Sequence, residues 1–453
     1  MSFKAYPKYK ESGVEWLGRV PEHWEVRRLK RLCHVFPSNV DKKSVEGEAP
    51  VLLCNYTDVY YNDRIVDGMD FMAATATDDQ IAKFTLRAGD TIITKDSETA
   101  DDIAVAAYVP KDLPGVICGY HLSMVRPRKG IHGAYVKRLF DSGYAKSCFA
   151  VRANGLTRVG LSQYEIDNVE MPSPPEGEQA LIATFHDRET AKIDALIAEQ
   201  QRLIKLLQEK RQAVISHAVT KGLNPDAPMK DSRIEWLGEV PEHWEIPPLY
   251  ARFHQTLGKM LDHGKMTGAH PMPYLRNQDV RWDFINVDEL PTMDIAPHER
   301  DRFTVKKGDL LMVEGRELGR SAIWMGDDGV IGFQKALHRL RTRDRTEYIR
   351  YFYYLMIFVN ATGAFVANQS PNEIPHLTGE ELRKYRFPKP PHAEQVAIAG
   401  HLDRMAEQLD ALSAESQTAV SLLQERRSAL ISSAVTGQID VRGFPAGGGS
   451  EAA

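Results

Sequence analysis

Two long stretches of this chain repeat apolar residues every three or four positions. In the first, Ile193, Leu196, Gln200, Leu203, Leu207, Lys210 and Val214 keep that spacing. In the second, Ile398, Leu402, Met405, Leu409, Leu412, Ser416, Ala419, Leu423, Arg426 and Leu430 keep it. One face of a 3.6-residue helix recurs at this interval. Neither stretch contains proline, and each predicts a helix of about 45 residues, roughly 65 Å long. A helix of that length with an amphipathic stripe needs a coiled-coil partner. Two such helices in one chain can pair with each other, and an antiparallel sense would put whatever they carry at opposite ends. Pairing with another subunit's helices is the alternative.

Upstream of each helix the pattern becomes strand-like. Residues 84–94 read FTLRAGDTIIT and residues 303–313 read FTVKKGDLLMV. Each predicts strand, Gly-Asp turn, strand. Residues 135–140 and 348–355 predict short helices. Leu161-Ser162-Gln163-Tyr164-Glu165-Ile166 and Leu377-Thr378-Gly379-Glu380-Glu381-Leu382 each open a further helical turn. A short strand follows, and then prolines stop it at Pro174-Pro175 and Pro390-Pro391.

The same frame therefore occurs twice. Residues 14–25 (VEWLGRVPEHWE) and 234–245 (IEWLGEVPEHWE) agree at ten of twelve positions. Both long helices start after P-P-x-x-E-Q and end in LLQE[KR]R…AVT. The text between these echoes differs widely. The expected fold is α+β: two mixed α/β domains separated by two long helices in an antiparallel coiled coil, with a pseudo-twofold internal repeat. The expected boundaries are 1–175 and 223–391 for the mixed domains, 176–222 and 392–440 for the helices, and 441–453 for a disordered tail.

Composition narrows the class. With 453 residues, 43% apolar and 26% charged, this is a soluble multidomain chain. The charged start MSFKAYPKYK has no apolar signal core, and the longest apolar-aromatic run, 351–359, is too short to cross a bilayer. A cytoplasmic location is expected, with no membrane partner. The four cysteines, Cys33, Cys54, Cys118 and Cys148, form no C-x-x-C pair and are expected as free thiols, with no metal site. A net charge of −5 argues against indiscriminate coating of nucleic acid. Locally, 126–138 carries five basic residues and no acid, and 335–350 six against two acids. Two such stretches at similar places predict a phosphate-contacting surface.

No motif for independent catalysis is present. The chain lacks a phosphate-binding G-x-x-x-x-G-K-[ST] loop, a G-x-G-x-x-G loop, an N-P-P-[FY] tetrapeptide and an E-x-K triplet. The 15 histidines are dispersed. Trp16, Trp24, Trp236 and Trp244 recur unchanged while the inserts vary. A base-reading residue should vary with what it reads, so these are expected as anchors packing the frame onto the long helices or onto a partner. Leu203, Leu207 and Leu423 are assigned with them as partner contacts.

Polar loops within the inserts are the better candidates for contact with DNA. The first insert offers Lys95, Ser97 and Thr99, then Tyr120-His121, and Arg158. The second offers Arg316 and Arg320, Gln334-Lys335, and Asn368, Gln369 and Asn372. Arginine suits bidentate contact with guanine, and asparagine or glutamine with adenine.

In order and duplication, these features resemble the specificity subunit of type I restriction–modification systems, over almost the whole chain. The resemblance rests on the doubled WLG-x-VPEHWE segment, the P-P-x-x-E-Q helix entries and the LLQE[KR]R…AVT exits. The strings 314–320 and 333–339 resemble one class of target-recognition domain, and Lys95-Asp96-Ser97 with Asp101-Asp102-Ile103 another. The resemblance implies a non-enzymatic subunit whose two target-recognition domains each read half of a bipartite site in double-stranded DNA. It implies helices that act as spacer and dock two methyltransferase subunits. Those partners would bind S-adenosylmethionine and methylate adenine, and two restriction subunits would use ATP with Mg. This chain would bind no cofactor. One departure is that Pro247-Pro248 stand where Arg27-Arg28 follow the first VPEHWE. The rival expectations are a non-catalytic protein-interaction scaffold and an enzyme with an unfamiliar site.

Overall fold

The computed structural model describes residues 3–262, 264, 267–315, 317–365 and 377–444. The chain divides into two compact units, Met1–Gln200 with Thr418–Ala453, and Gln201–Gln417. Both periodic stretches are helical, over Glu176–Lys221 and His392–Val435. Each helix therefore contributes a segment to each unit.

The helix entries explain the P-P-x-x-E-Q motif. Gln179 is buried, donates to the Pro174 carbonyl (2.8 Å) and accepts from the His132 backbone N–H (2.8 Å). Gln395 donates to the Pro390 carbonyl and accepts from the Tyr348 N–H, also at 2.8 Å each. One amide thus ties the proline stop to the neighbouring short helix. Those helices cover Gly133–Asp141 and Ile349–Thr362, the second ending seven residues beyond the predicted 348–355.

Within the first unit Arg427 meets Asp194 at 2.8 Å, and His186 Nε2 lies 3.3 Å from the Ile431 carbonyl. Rising numbers on one helix meet falling numbers on the other, so these segments run in opposite directions. Within the second unit Arg211 meets Asp410 at 2.6 Å, and Ile215 and Val219 share a core with Ile398 and Leu402.

His186 carries a pH consequence. It is fully buried with Nδ1 unpartnered, and burial, with the Arg138 guanidinium nearby, pushes its pKa down to about 4. Unfolded, it titrates near ~6.5. Between those values the unfolded chain holds the proton and the folded one does not. The first unit should therefore lose stability as pH falls through this window, by about 3 kcal/mol at its lower end. Leu402 stands at the matching place in the second helix. His186→Leu should remove that slope, read as the gap between wild-type and variant urea midpoints at pH 7 and pH 4.5. A gap that does not change with pH would refute the assignment.

Each unit holds a four-stranded antiparallel sheet of the same order. In the first it runs Ala106–Tyr108, Thr91–Thr94, Leu122–Pro127, Cys33–Pro37. In the second it runs Ser321–Ile323, Leu310–Val313, Leu337–Thr342, Phe253–Leu257. A smaller sheet accompanies each, with one parallel pair: Leu113–Cys118 on Ala49–Cys54, and Gly332–Phe333 on Pro271–Leu275. The expected strand–turn–strand hairpins are not hairpins. Thr85–Leu86 belongs to the smaller sheet and Thr91–Thr94 to the larger, so the Gly89-Asp90 turn hands the chain from one to the other. Phe84 and Phe303 instead close short helices, Asp78–Phe84 and Arg300–Phe303. The aspartates hold the crossing. Asp90 accepts from Arg126 and the Arg87 N–H, and Asp309 from Arg341 and the Lys306 N–H.

The frame forms a small hairpin in each unit, Tyr9–Glu11 with Arg19–Pro21 and Met229–Asp231 with Glu239–Pro241. Gly18 and Gly238 take φ +65° and +67°, which only glycine adopts freely, and this accounts for the shared WLG. After the first copy Glu25–Arg28 pairs with Glu170–Ser173. After the second only isolated bridges remain, Glu245 with Lys389 and Pro248 with Arg386. Pro247-Pro248 lack the N–H donors a ladder needs.

The expected tail begins later than its composition implied. Val441 is buried, and the Phe444 ring packs 4.6 Å from Phe185 and 5.9 Å from Phe3. Residues 441–444 therefore belong to the first unit, and 445–453 lie outside the described residues. All four cysteines are free and buried. Among the described residues no helix is long and apolar enough to cross a membrane.

Candidate nucleic-acid interface

In the first unit the candidate residues gather where two neighbouring strands of the large sheet end and begin. Lys95 follows Thr91–Thr94 and donates its backbone N–H to the His121 carbonyl (3.0 Å), just ahead of Leu122–Pro127. Asp96 forms the hub. His121 Nδ1 lies 2.6 Å from one of its oxygens, and Arg158 is 3.1 Å from the other. The Lys95 ammonium sits 4.6 Å over the exposed Tyr120 ring and donates to the Ser38 carbonyl. Arg158 lies 5.7 Å over the Tyr56 ring, which stacks on Tyr60 at 5.5 Å. Lys95, Tyr120, His121 and Arg158 thus form one cluster. Ser97 does not join its surface: it pairs with Val159 in a short ladder and is 2% exposed, so its assignment as a DNA contact is corrected. Thr99 is exposed before the turn Ala100–Asp102. Asp96, Tyr56 and the 77%-exposed Tyr61 were missed. The one-turn spacing of Tyr56 and Tyr60 was the available signal.

In the second unit the corresponding strand ends also lie side by side. Glu314 follows Leu310–Val313 and donates its N–H to the Ala336 carbonyl (3.1 Å), just ahead of Leu337–Thr342. Lys335 is exposed on that turn. Gln334 is half-buried, and its backbone passes so close to Gly258 that a Cβ there would meet the Gln334 carbonyl at 2.1 Å. Arg320 is not free to read a base. Its guanidinium engages Glu317 (2.6 Å) and the Asn277 carbonyl (3.0 Å). Arg316, Asn368, Gln369 and Asn372 lie outside the described residues.

The two basic stretches do not form the predicted phosphate surface. Arg126 pairs with Asp90, Lys137 with Asp63 and Asp141, and Arg138 with Asp63, Asp141 and Asp187. These carboxylates hold the Arg138 pKa above the ordinary arginine value, against the pull of burial. In the second unit Arg341 pairs with Asp309, Arg350 with Asp283 and Asp403, and Arg339 is buried on the Thr304 carbonyl. Arg128, Lys129, Lys335, Arg343 and Arg345 remain exposed.

No family model matches the chain. It is similar to the MjaVIII type I restriction enzyme specificity subunit of Methanocaldococcus jannaschii, 22% identical over 96% of this chain and 97% of that one. The EcoKI specificity subunit of Escherichia coli is 22% identical over 72% and 68%. Its fold matches the HsdS subunit of Thermoanaerobacter tengcongensis (TM-score 0.60, 17% identity, 95% and 100% covered). A chain solved in work on complex assembly and conformational transition of the type I R-M system matches at TM-score 0.72, with 17% identity and 93% and 99% covered. In sequence and in fold the chain is similar to type I specificity subunits over almost its whole length.

In this chain the repeated tryptophans divide into two kinds. Trp24 and Trp244 are fully buried, so neither can reach a partner, and that part of their assignment is corrected. Trp24 Nε1 donates to Glu178 (2.9 Å), the acid of the helix-entry motif, which also accepts from the Tyr6 hydroxyl and meets His23 at 2.6 Å. His243 meets Glu394 at 2.8 Å in the second copy. Trp236 is half-buried against Phe358 and Phe387, whereas Trp16 is 57% exposed. Among the leucines assigned to partners, Leu207 is buried, Leu423 packs against the first unit's core, and Leu203 is 40% exposed.

Proposed function

We propose that this specificity subunit recognises a bipartite DNA sequence and directs partner adenine methyltransferase and restriction subunits of a type I complex to it. One observation carries the reading. Two sheets of the same strand order expose polar loops at the same strand ends, and the residues differ there, whereas Trp24 and Trp244, which recur in the two frames, are buried. Recognition that differs between two halves belongs where the halves disagree. In the first half Lys95, Tyr120, His121 and Arg158 supply charge, stacking and hydrogen bonds. In the second Lys335 supplies charge and hydrogen-bond donors. Contacts to phosphate set register, and contacts to base edges set sequence.

In this reading the chain carries out no chemistry. S-adenosylmethionine, and ATP with Mg, are bound by partners. The two long helices pair as an antiparallel coiled coil that spaces the half-sites. Two methyltransferase subunits dock on the helices and frames, with Trp16 and Leu203 among the contacts, and two restriction subunits join them.

The test lengthens the spacer. Four residues inserted within 203–211 add about one turn, or ~6 Å. With the methyltransferase partner supplied, methylated adenines should map to the same half-site letters at a longer separation. Methylation without sequence preference, or altered letters at unchanged spacing, would sink the reading.

A further inference from the structure

We propose that Asp96 is a positioning residue for the first half-site, holding His121 and Arg158 in reading orientation without itself touching DNA. The inference rests on the function proposed above and sharpens it. The Asp96 side chain is 17% exposed, against 35% for His121 and 48% for Arg158, so the acid lies behind the two groups it holds. Its oxygens are divided between them, one 2.6 Å from His121 Nδ1 and the other 3.1 Å from Arg158. The backbone is fixed as well, because Asp96 pairs with Gly160 and the Lys95 carbonyl accepts from Leu161.

An ionised carboxylate can only accept a hydrogen bond. Nδ1 of His121 therefore carries the proton that Asp96 accepts, and Nε2 is the ring nitrogen left for DNA, an acceptor when it carries no proton. An acceptor suits the exocyclic amine of adenine or cytosine. With a water-facing acid in its place, or none, the ring would turn and either nitrogen could carry the proton. Arg158 has the opposite need. With one edge on Asp96 and its face over Tyr56, its remaining N–H groups point as donors, suited to guanine O6 and N7 or to a phosphate. One half-buried acid thus sets one acceptor and one donor side by side. Simple charge neutralisation would make a different prediction: loss of Asp96 would then change affinity for all sequences alike.

The experiment uses the full chain assembled with its methyltransferase partner on DNA carrying randomised half-sites. Asp96→Ala should lower discrimination by about tenfold at one or two positions of the first half-site. The second half-site and the assembly of the complex should be unchanged. Asp96→Glu should restore part of the loss, and Asp96→Asn should separate the partners, since its oxygen still accepts from His121 but its charge for Arg158 is gone. If Asp96→Ala does not fold, the near-isosteric Asp96→Asn decides the matter by the same readout. A wild-type preference profile, or an equal fall at every position of both half-sites, overturns the role of Asp96. Exchange of residues 33–172 run in parallel separates the two levels. If that exchange leaves the first half-site intact, the functional reading itself is wrong. If it rewrites the half-site and Asp96 variants do not, only the positioning role falls.

Discussion

Replacing residues 33–172 with the matching region of another specificity subunit should rewrite one half-site and leave the other as it was. The exchange removes the whole large sheet of the first unit, the Asp96 cluster and the short ladder beneath it, and keeps the helices and both hairpins. Each mismatched base pair carries roughly 1–3 kcal/mol, nearly additively, so discrimination for the original half-site should fall by on the order of a thousandfold. Mapping methylated adenines in the assembled complex measures both half-sites at once. Joint movement of the two half-sites would show that the units do not read independently.

Trp24→Ala should destabilise the first unit by about 3–5 kcal/mol. The ring is fully buried among Tyr6, Leu29 and Ala434, and its loss also leaves Glu178 short of a donor. Trp244→Ala should do the same to the second unit. Trp16→Ala, at a position more than half exposed, should stay within about 0.5 kcal/mol. Urea unfolding of the three variants compares them directly. Equal midpoints for Trp24→Ala and Trp16→Ala would remove the argument that the repeated segment is an internal anchor. If Trp16 meets a methyltransferase subunit, its variant should weaken co-elution at unchanged stability.

Much of the helical layout was legible. A sustained 3–4 spacing without proline is a local signal, and the helices run 46 and 44 residues. The Pro-Pro stops, the WLG glycines and the helix-entry glutamines were likewise local. Strand pairing was not, because Thr85–Leu86 and Thr91–Thr94 are neighbours in sequence but belong to different sheets. The basic stretches misled for a related reason. For 126–138 only Asp141, three residues beyond the stretch, lies close by, whereas Asp63, Asp90 and Asp187 are 36 residues or more from the cations they neutralise, measured along the chain. Two of the DNA candidates that gathered, His121 and Arg158, did so around an acid that a search for base-contacting side chains passes over.

The first unit is assembled from two separated pieces of chain. Leu430, Ala434, Val435, Ile439 and Val441 complete a core begun by Tyr6, Trp24 and Leu29, and the Asp440 N–H donates to the Lys4 carbonyl. The second unit is continuous from Gln201 to Gln417. On the ribosome, where chains emerge at roughly 5–20 residues per second, the order of completion is therefore inverted. The second unit can close while the first still waits, its apolar surface open, for residues 418–444. A ribosome that stalls shortly after residue 417 would release a chain with a finished second reader and an unfinished first one. Chaperones and proteases would then act on the earlier-made half.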